Sequence, residues 1–140
     1  ADFNAGVKMD KDTYYFSYAF NSTAKCEITG TYLPIPSTFA ILQPFALMIG
    51  SFKNNRITDY QLSEEWYAND GLVSVHSALY PFNAPHKDYD PGNIPAGIWN
   101  VMPVSSGDHG NAIGIGVSRD ALVNFYLDMI TMIESLPVTK

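Results

Sequence analysis

The 140 residues carry 14 acidic and 8 basic side chains, a net charge of −6, and a charged fraction of 16 % against an apolar fraction of 46 %. That length is one domain's worth and can bury a core, while the scattered Lys and Arg exclude a phosphate-neutralising nucleic-acid face or an anionic membrane surface as partner. No membrane span is expected, because the most apolar region, 33–52, is broken by Pro34, Pro36 and Pro44, and a span needs roughly 20 uninterrupted apolar residues.

Ala1-Asp2-Phe3-Asn4 has neither a Met nor a basic segment leading into an apolar one. It reads as a processed or trimmed start, not a signal peptide. Thr13 to Phe20, TYYFSYAF, is aromatic and nearly uncharged, the pattern of a strand buried on both faces in a parallel sheet. The polar stretch from Asn21 to Gly30 reads as a loop. Within it Asn21-Ser22-Thr23 fits an N-glycosylation acceptor, which points toward secretion. Cys26 is the only cysteine, so any disulfide must be to another chain; otherwise it is an inert thiol.

Phe39 to Gly50 reads as a short buried helix kinked by Pro44, or as two apolar loop segments. Its role is core packing or, alternatively, part of an acyl-binding wall or lid. Ser63 followed by Glu64 and Glu65 marks a helix start, cut short by the breaker Asn69-Asp70-Gly71. Pro81 to Pro95 reads as a surface loop, and Gly97 to Val104 as a second strand. Ser118 caps the clearest helix. Leu122, Phe125, Tyr126, Met129, Ile130 and Ile133 recur at helical spacing up to the stop at Pro137. Strand, excursion, strand and closing helix imply an α/β arrangement in one domain, 1–140, without an internal boundary. Two strands are too few for an independent sheet, so either further strands exist or the sheet is completed by another chain.

Asp70 and His109 are the pair with chemistry. Each stands on a Gly-bordered turn, in Asn69-Asp70-Gly71 and Gly107-Asp108-His109-Gly110. A serine hydrolase needs an imidazole to take and return a proton and a carboxylate to fix its tautomer. Asp before His is the order of the last two triad members in α/β hydrolases. No serine stands in Gly-x-Ser-x-Gly, and Ser105 and Ser106 are too near His109 to serve. The chain alone is not a complete enzyme. His76, His86, Asp88 and Asp90 imitate a metal set but lack a helical His pair, and they read as turn-forming loop residues. The glycines from Gly107 to Gly116 form no nucleotide-binding pattern, so no cofactor is expected.

The segments Tyr14-Tyr15-Phe16-Ser17-Tyr18-Ala19, Pro44-Phe45, Gly50-Ser51-Phe52, Trp66 to Ser74, Gly97-Ile98-Trp99-Asn100 and Asp108-His109 follow one another in an order that resembles the C-terminal part of secreted triacylglycerol lipases of the staphylococcal and bacillary type. The resemblance runs from Thr13 to Leu136. It implies the C-terminal part of an α/β-hydrolase fold, with Asp70 as orienter and His109 as general base. The serine, the oxyanion hole and the zinc site of that family lie mainly upstream of the residues here. The resemblance therefore implies an N-terminal partner chain bearing the GxSxG serine, a lipid ester as substrate, and a secreted, secretory-pathway or vacuolar-lumen location. In bacterial members an acidic residue two after the histidine and an Asp-Pro beyond it help bind calcium. Here those positions are Asn111 and Gly116-Val117, a poor site for a hard cation, so calcium is expected to be lost. The alternative reading is a non-catalytic lipid-binding or storage protein that keeps the hydrolase frame.

Overall fold

The computed structural model describes residues 8–52, 62–81 and 83–137. Its organising feature is a three-stranded parallel sheet in the order β1-β6-β5, formed by β1 (Tyr15–Ser17), β5 (His86–Asp88) and β6 (Trp99–Val101). The β1–β6 ladder continues into β2 (Phe20–Asn21) and β7 (Ser105–Ser106), again parallel. Between the two pairings Tyr18 and Ala19 face three residues, Met102, Pro103 and Val104. This is a one-residue bulge, and Pro103, which has no N–H to give a ladder, sits inside it. Just past the carboxyl end of the strand pair Gly107 N–H donates to Asn21 O at 3.0 Å.

The expected strand at Thr13 to Phe20 is therefore present as β1 and β2, but only Ser17 and Ala19 within it are buried. Thr13 is exposed and the other side chains are half-exposed, because the described residues do not cover both sheet faces. The polar stretch expected to be loop holds a hairpin instead: β3 (Thr23–Lys25) pairs antiparallel with β4 (Tyr32–Pro34). The Lys25 ammonium lies 2.6 Å from Glu64 Oε1, and the Tyr32 hydroxyl donates to the same oxygen at 3.1 Å. Likewise the expected loop from Pro81 to Pro95 contributes β5. A charged triplet forms a strand there because β6 offers a free edge to pair with.

Helix α1 (Gln43–Gly50) packs on β4, and a Cβ at Gly50 would collide with Tyr32 O. Pro44 lies in its first turn, where the missing N–H has no helical partner to lose, so it starts the helix without kinking it. Ser63 precedes a single 3-10 turn, Glu64–Trp66, without capping it; its hydroxyl donates to Glu65 Oε1 at 2.8 Å. Helix α2 (Val75–Leu79) follows the Asp70 turn. Helix α3 (Arg119–Glu134) begins as expected, with Ser118 Oγ accepting from Ala121 N at 3.2 Å.

The apolar stripe expected on α3 divides in two. Phe125 meets the Tyr18 and Phe20 rings at 5.4 and 6.1 Å, and Leu122 and Met129 share its half-buried face. Tyr126, Ile130 and Ile133 are exposed. No helix among the described residues is long and apolar enough to cross a membrane.

Candidate active site

Asp70 and His109 meet at the carboxyl ends of the parallel strands, where open α/β sheets place their ligands. Each arrives by a local turn that its neighbours dictate. After Asn69, Asp70 N–H donates to Val73 O at 3.1 Å. Gly71 takes φ +99°, and a Cβ there would lie 2.9 Å from Leu42 Cβ. Glycine is required by both the backbone and the space. On the other turn, a Cβ at Gly107 would collide with Asn111 Oδ1, the acceptor for Asp108 N–H.

The Asp70 side chain is 8 % exposed, and its two oxygens have different partners. Oδ1 accepts from the Leu72 and Val73 amides at 2.9 and 2.8 Å. Oδ2 lies 2.8 Å from His109 Nδ1. A carboxylate can only accept here, so Nδ1 carries the proton and Nε2 holds the free lone pair. His109 N–H donates to Asp70 O at 2.9 Å, so main chain and ring are tied to the same residue. The His109 side chain is 49 % exposed, and Nε2 makes no hydrogen bond among the described residues. This arrangement can accept a proton from an incoming hydroxyl, hold the imidazolium beside a buried carboxylate, and return the proton.

Two supporting residues were not singled out by sequence. Asn69, fully buried, donates from Nδ2 to Ala46 O and Tyr67 O at 3.1 and 2.9 Å. Its Oδ1 accepts from Gly71 N at 2.9 Å, and its main chain is bound to Thr23 and Ser22. Asp108, only 2 % exposed, accepts from Phe39 N at 2.7 Å and Gly110 N at 2.9 Å. Both are adjacent to the pair in sequence, but alongside their local bonds each has partners 23–69 positions away, beyond any local pattern.

The remaining candidates fall elsewhere. Asn21 is half-buried within β2, its Oδ1 accepting from Thr23 N and Oγ1 at 2.9 and 2.8 Å. Cys26 is a free, half-buried thiol at the end of β3. Hydrogen bonds from the Thr29 side chain, the Thr29 amide and the Ile28 amide push its pKa down. His86 stacks on Tyr80 with centroids 3.6 Å apart, and Asp90 Oδ1 accepts from Gly92 N at 2.9 Å. Among the described residues no three His, Cys, Asp or Glu side chains gather as a metal set. Asn111 has both side-chain groups engaged, Oδ1 with Asp108 N and Nδ2 with Ile115 O. A cavity of about 280 Å³ between Trp66, His76, Tyr80 and His86 contains neither Asp70 nor His109; the chemistry, not the cavity, locates the candidate site.

A parallel sheet with a hydrogen-bonded Asp–His pair at its carboxyl ends defines an α/β protein. The chain belongs to the family "Lipase-like, C-terminal domain", which matches residues 1–137. It is 34 % identical over 94 residues to Lipase 2 of Staphylococcus aureus, covering 61 % of this chain and 14 % of that protein. To Lipase 1 of the same species it is 38 % identical over 87 residues, covering 55 % and 12 %. Among solved structures, EstA from Clostridium botulinum superposes with a TM-score of 0.83 at 28 % identity, covering 95 % of this chain and 31 % of that one. Staphylococcus hyicus lipase gives 0.77 at 24 % identity, covering 92 % and 33 %, a likeness of fold. The chain thus spans about a seventh of the curated relatives it matches and about a third of the solved chains.

Proposed function

We infer that this chain supplies the acid–base half of a serine lipase or carboxylic-ester hydrolase acting on lipid esters. The nucleophilic serine and the oxyanion hole come from an N-terminal chain carrying GxSxG. The observation that carries the reading is the 2.8 Å bond from His109 Nδ1 to the buried Asp70 carboxylate, with the ring half-exposed and Nε2 free of hydrogen bonds among the described residues.

In this reading His109 Nε2 takes the serine hydroxyl proton as the serine oxygen attacks the ester carbonyl. Asp70 holds the ring and stabilises the imidazolium. The carbonyl–alkoxy bond then breaks, the leaving alcohol takes the proton from Nε2, and an acyl-serine remains. Water enters, gives its proton to Nε2, and attacks the acyl carbonyl. The serine oxygen leaves with that proton and the fatty acid departs. A secreted or luminal location belongs to the same reading, and Cys26 is the thiol available for a disulfide to the partner chain.

The test is His109→Ala in the assembled two-chain protein. Ester turnover is expected to fall by roughly 10³-fold or more at unchanged assembly. Turnover near wild type sinks the assignment. Intact-mass analysis of native material under non-reducing and reducing conditions, with fluorophosphonate labelling, reads the partner directly. A labelled serine on a second chain is expected. A preparation with no phosphonate-reactive serine favours the non-catalytic binding alternative.

A further inference from the structure

We propose that Asp108 is the positioning residue of this site: its buried carboxylate sets the His109 turn against the chain segment that also carries the Asp70 turn. The proposal rests on the hydrolase reading above and adds to it a residue that neither the triad nor the substrate requires. It stands on two observations.

The first is the chemistry of the buried group. A carboxylate taken out of water is costly unless its oxygens are satisfied. Asp108 is 2 % exposed, and each of its oxygens takes one backbone N–H: Oδ1 that of Gly110 at 2.9 Å, Oδ2 that of Phe39 at 2.7 Å. The Gly110 bond closes an Asx turn directly over His109, fixing the main chain on both sides of the imidazole. A neutral amide can form such a turn equally well. Because the Gly110 and Phe39 amides lie on different oxygens, an Asn in the same pose would set its NH2 against one of the two N–H groups, whereas a carboxylate accepts from both.

The second is what Phe39 belongs to. The segment it opens is bound further along to the Asp70 turn: Asn69 Nδ2 donates to Ala46 O at 3.1 Å, and Leu42 packs over Gly71. A closed circuit results, running from His109 through Asp108, Phe39, Leu42 and Ala46 to Asn69 and Asp70. The 2.8 Å bond between imidazole and carboxylate is therefore held from behind as well as by its own strength. Without the Phe39 bond the His109 turn would be held to Asp70 only by its own amide, at 2.9 Å, and by the ring, with no support from the segment behind it. Misplacement of a catalytic group by about 1 Å costs on the order of 10²-fold in rate.

The experiment compares Asp108→Asn with wild type and with Ser118→Ala, a helix-cap variant whose hydroxyl bonds Ala121 N and none of Asp70, Asp108 or His109, in the assembled two-chain protein. Active sites are titrated to end-point with a fluorophosphonate, so that turnover is expressed per competent site and loss of folded protein drops out. For Asp108→Asn, kcat per titrated site is expected to fall about 10- to 100-fold with KM within about twofold of wild type, whereas Ser118→Ala keeps wild-type kcat per site. Wild-type kcat per titrated site in Asp108→Asn overturns the proposal. So does the absence of any titratable site, because Asp108 then serves folding alone. His109→Ala run in parallel separates the two levels. If it is inactive while Asp108→Asn is normal, only the positioning role fails; if His109→Ala is active, the hydrolase reading itself fails.

Discussion

Asp70 divides its two oxygens between architecture and chemistry. Oδ1 is committed to the Leu72 and Val73 amides, so the carboxyl plane is set by its own turn before His109 arrives. Oδ2 is then aimed at Nδ1. Asp70→Asn exposes this division. Its one acceptor oxygen is taken by the two amides, since the alternative would set an NH2 group against two N–H donors. The side-chain NH2 must then face the imidazole, which can accept only by moving its proton to Nε2. The base is left protonated on the side where it has to receive. We expect Asp70→Asn to fold with Tm near wild type and to lose on the order of 10³–10⁴-fold in kcat, because the geometry survives and the tautomer does not. The check is kcat beside a thermal melt. A loss of less than tenfold, with Tm unchanged, would show that Asp70 does not set the tautomer.

At the scale of elements, the β3–β4 hairpin is tied to the 3-10 turn by one charged cluster. The side-chain hydrogen bond from Lys25, and then that from the Tyr32 hydroxyl, hold the Glu64 carboxyl below its ordinary value, and the same pairing raises Lys25. A carboxyl depressed in the folded state adds stability above its unfolded value, and that contribution disappears as pH falls through the folded one. A raised lysine adds stability below its ordinary value and loses it as pH rises past the folded one. The tie is thus complete between the acid and alkaline limits and weakens at both. Lys25→Met is expected to move the Glu64 titration upward toward the ordinary carboxyl value, read by carboxyl-carbon NMR. An unmoved titration would mean the pair does not persist in solution.

This hairpin also shows why part of the fold is illegible in the sequence. Its strands are three residues long, as is β5, whose His86-Lys87-Asp88 becomes a strand only because β6 lies beside it. Three residues carry no periodicity to detect. The long α3 was readable from its repeat and its Ser118 cap. Which of its apolar residues face the sheet was not, because the sequence is apolar on two sides. Asp70 and His109 stood out through their glycine-bordered turns. Asn69 and Asp108 did not, since what distinguishes them is burial against distant amides.

At the scale of the whole molecule, burial does not match composition. The buried hydrophobic residues among those described are Ala19, Ala46 and Val101, all small. Large ones stand open on α1, including Phe45 and Met48, and on the outer face of α3, where Val123, Tyr126, Leu127, Ile130 and Ile133 follow one another at helical spacing. Ordering a chain costs about 1–2 kcal/mol per residue in backbone entropy, and each large apolar side chain left in water forgoes roughly 1.5–3 kcal/mol. Such a surface requires a cover. In the two-chain reading the serine-bearing chain provides it, and the same contact that buries α3 brings the nucleophile to His109. Prepared alone, the 140-residue chain is therefore expected to bind a hydrophobic dye and to self-associate, in sedimentation velocity, at micromolar concentration. Mixed with the serine-bearing chain, it should convert to a 1:1 complex with the dye released. A clean, dye-free monomer would mean that these faces need no partner, and the nucleophile would then lack the surface proposed to deliver it.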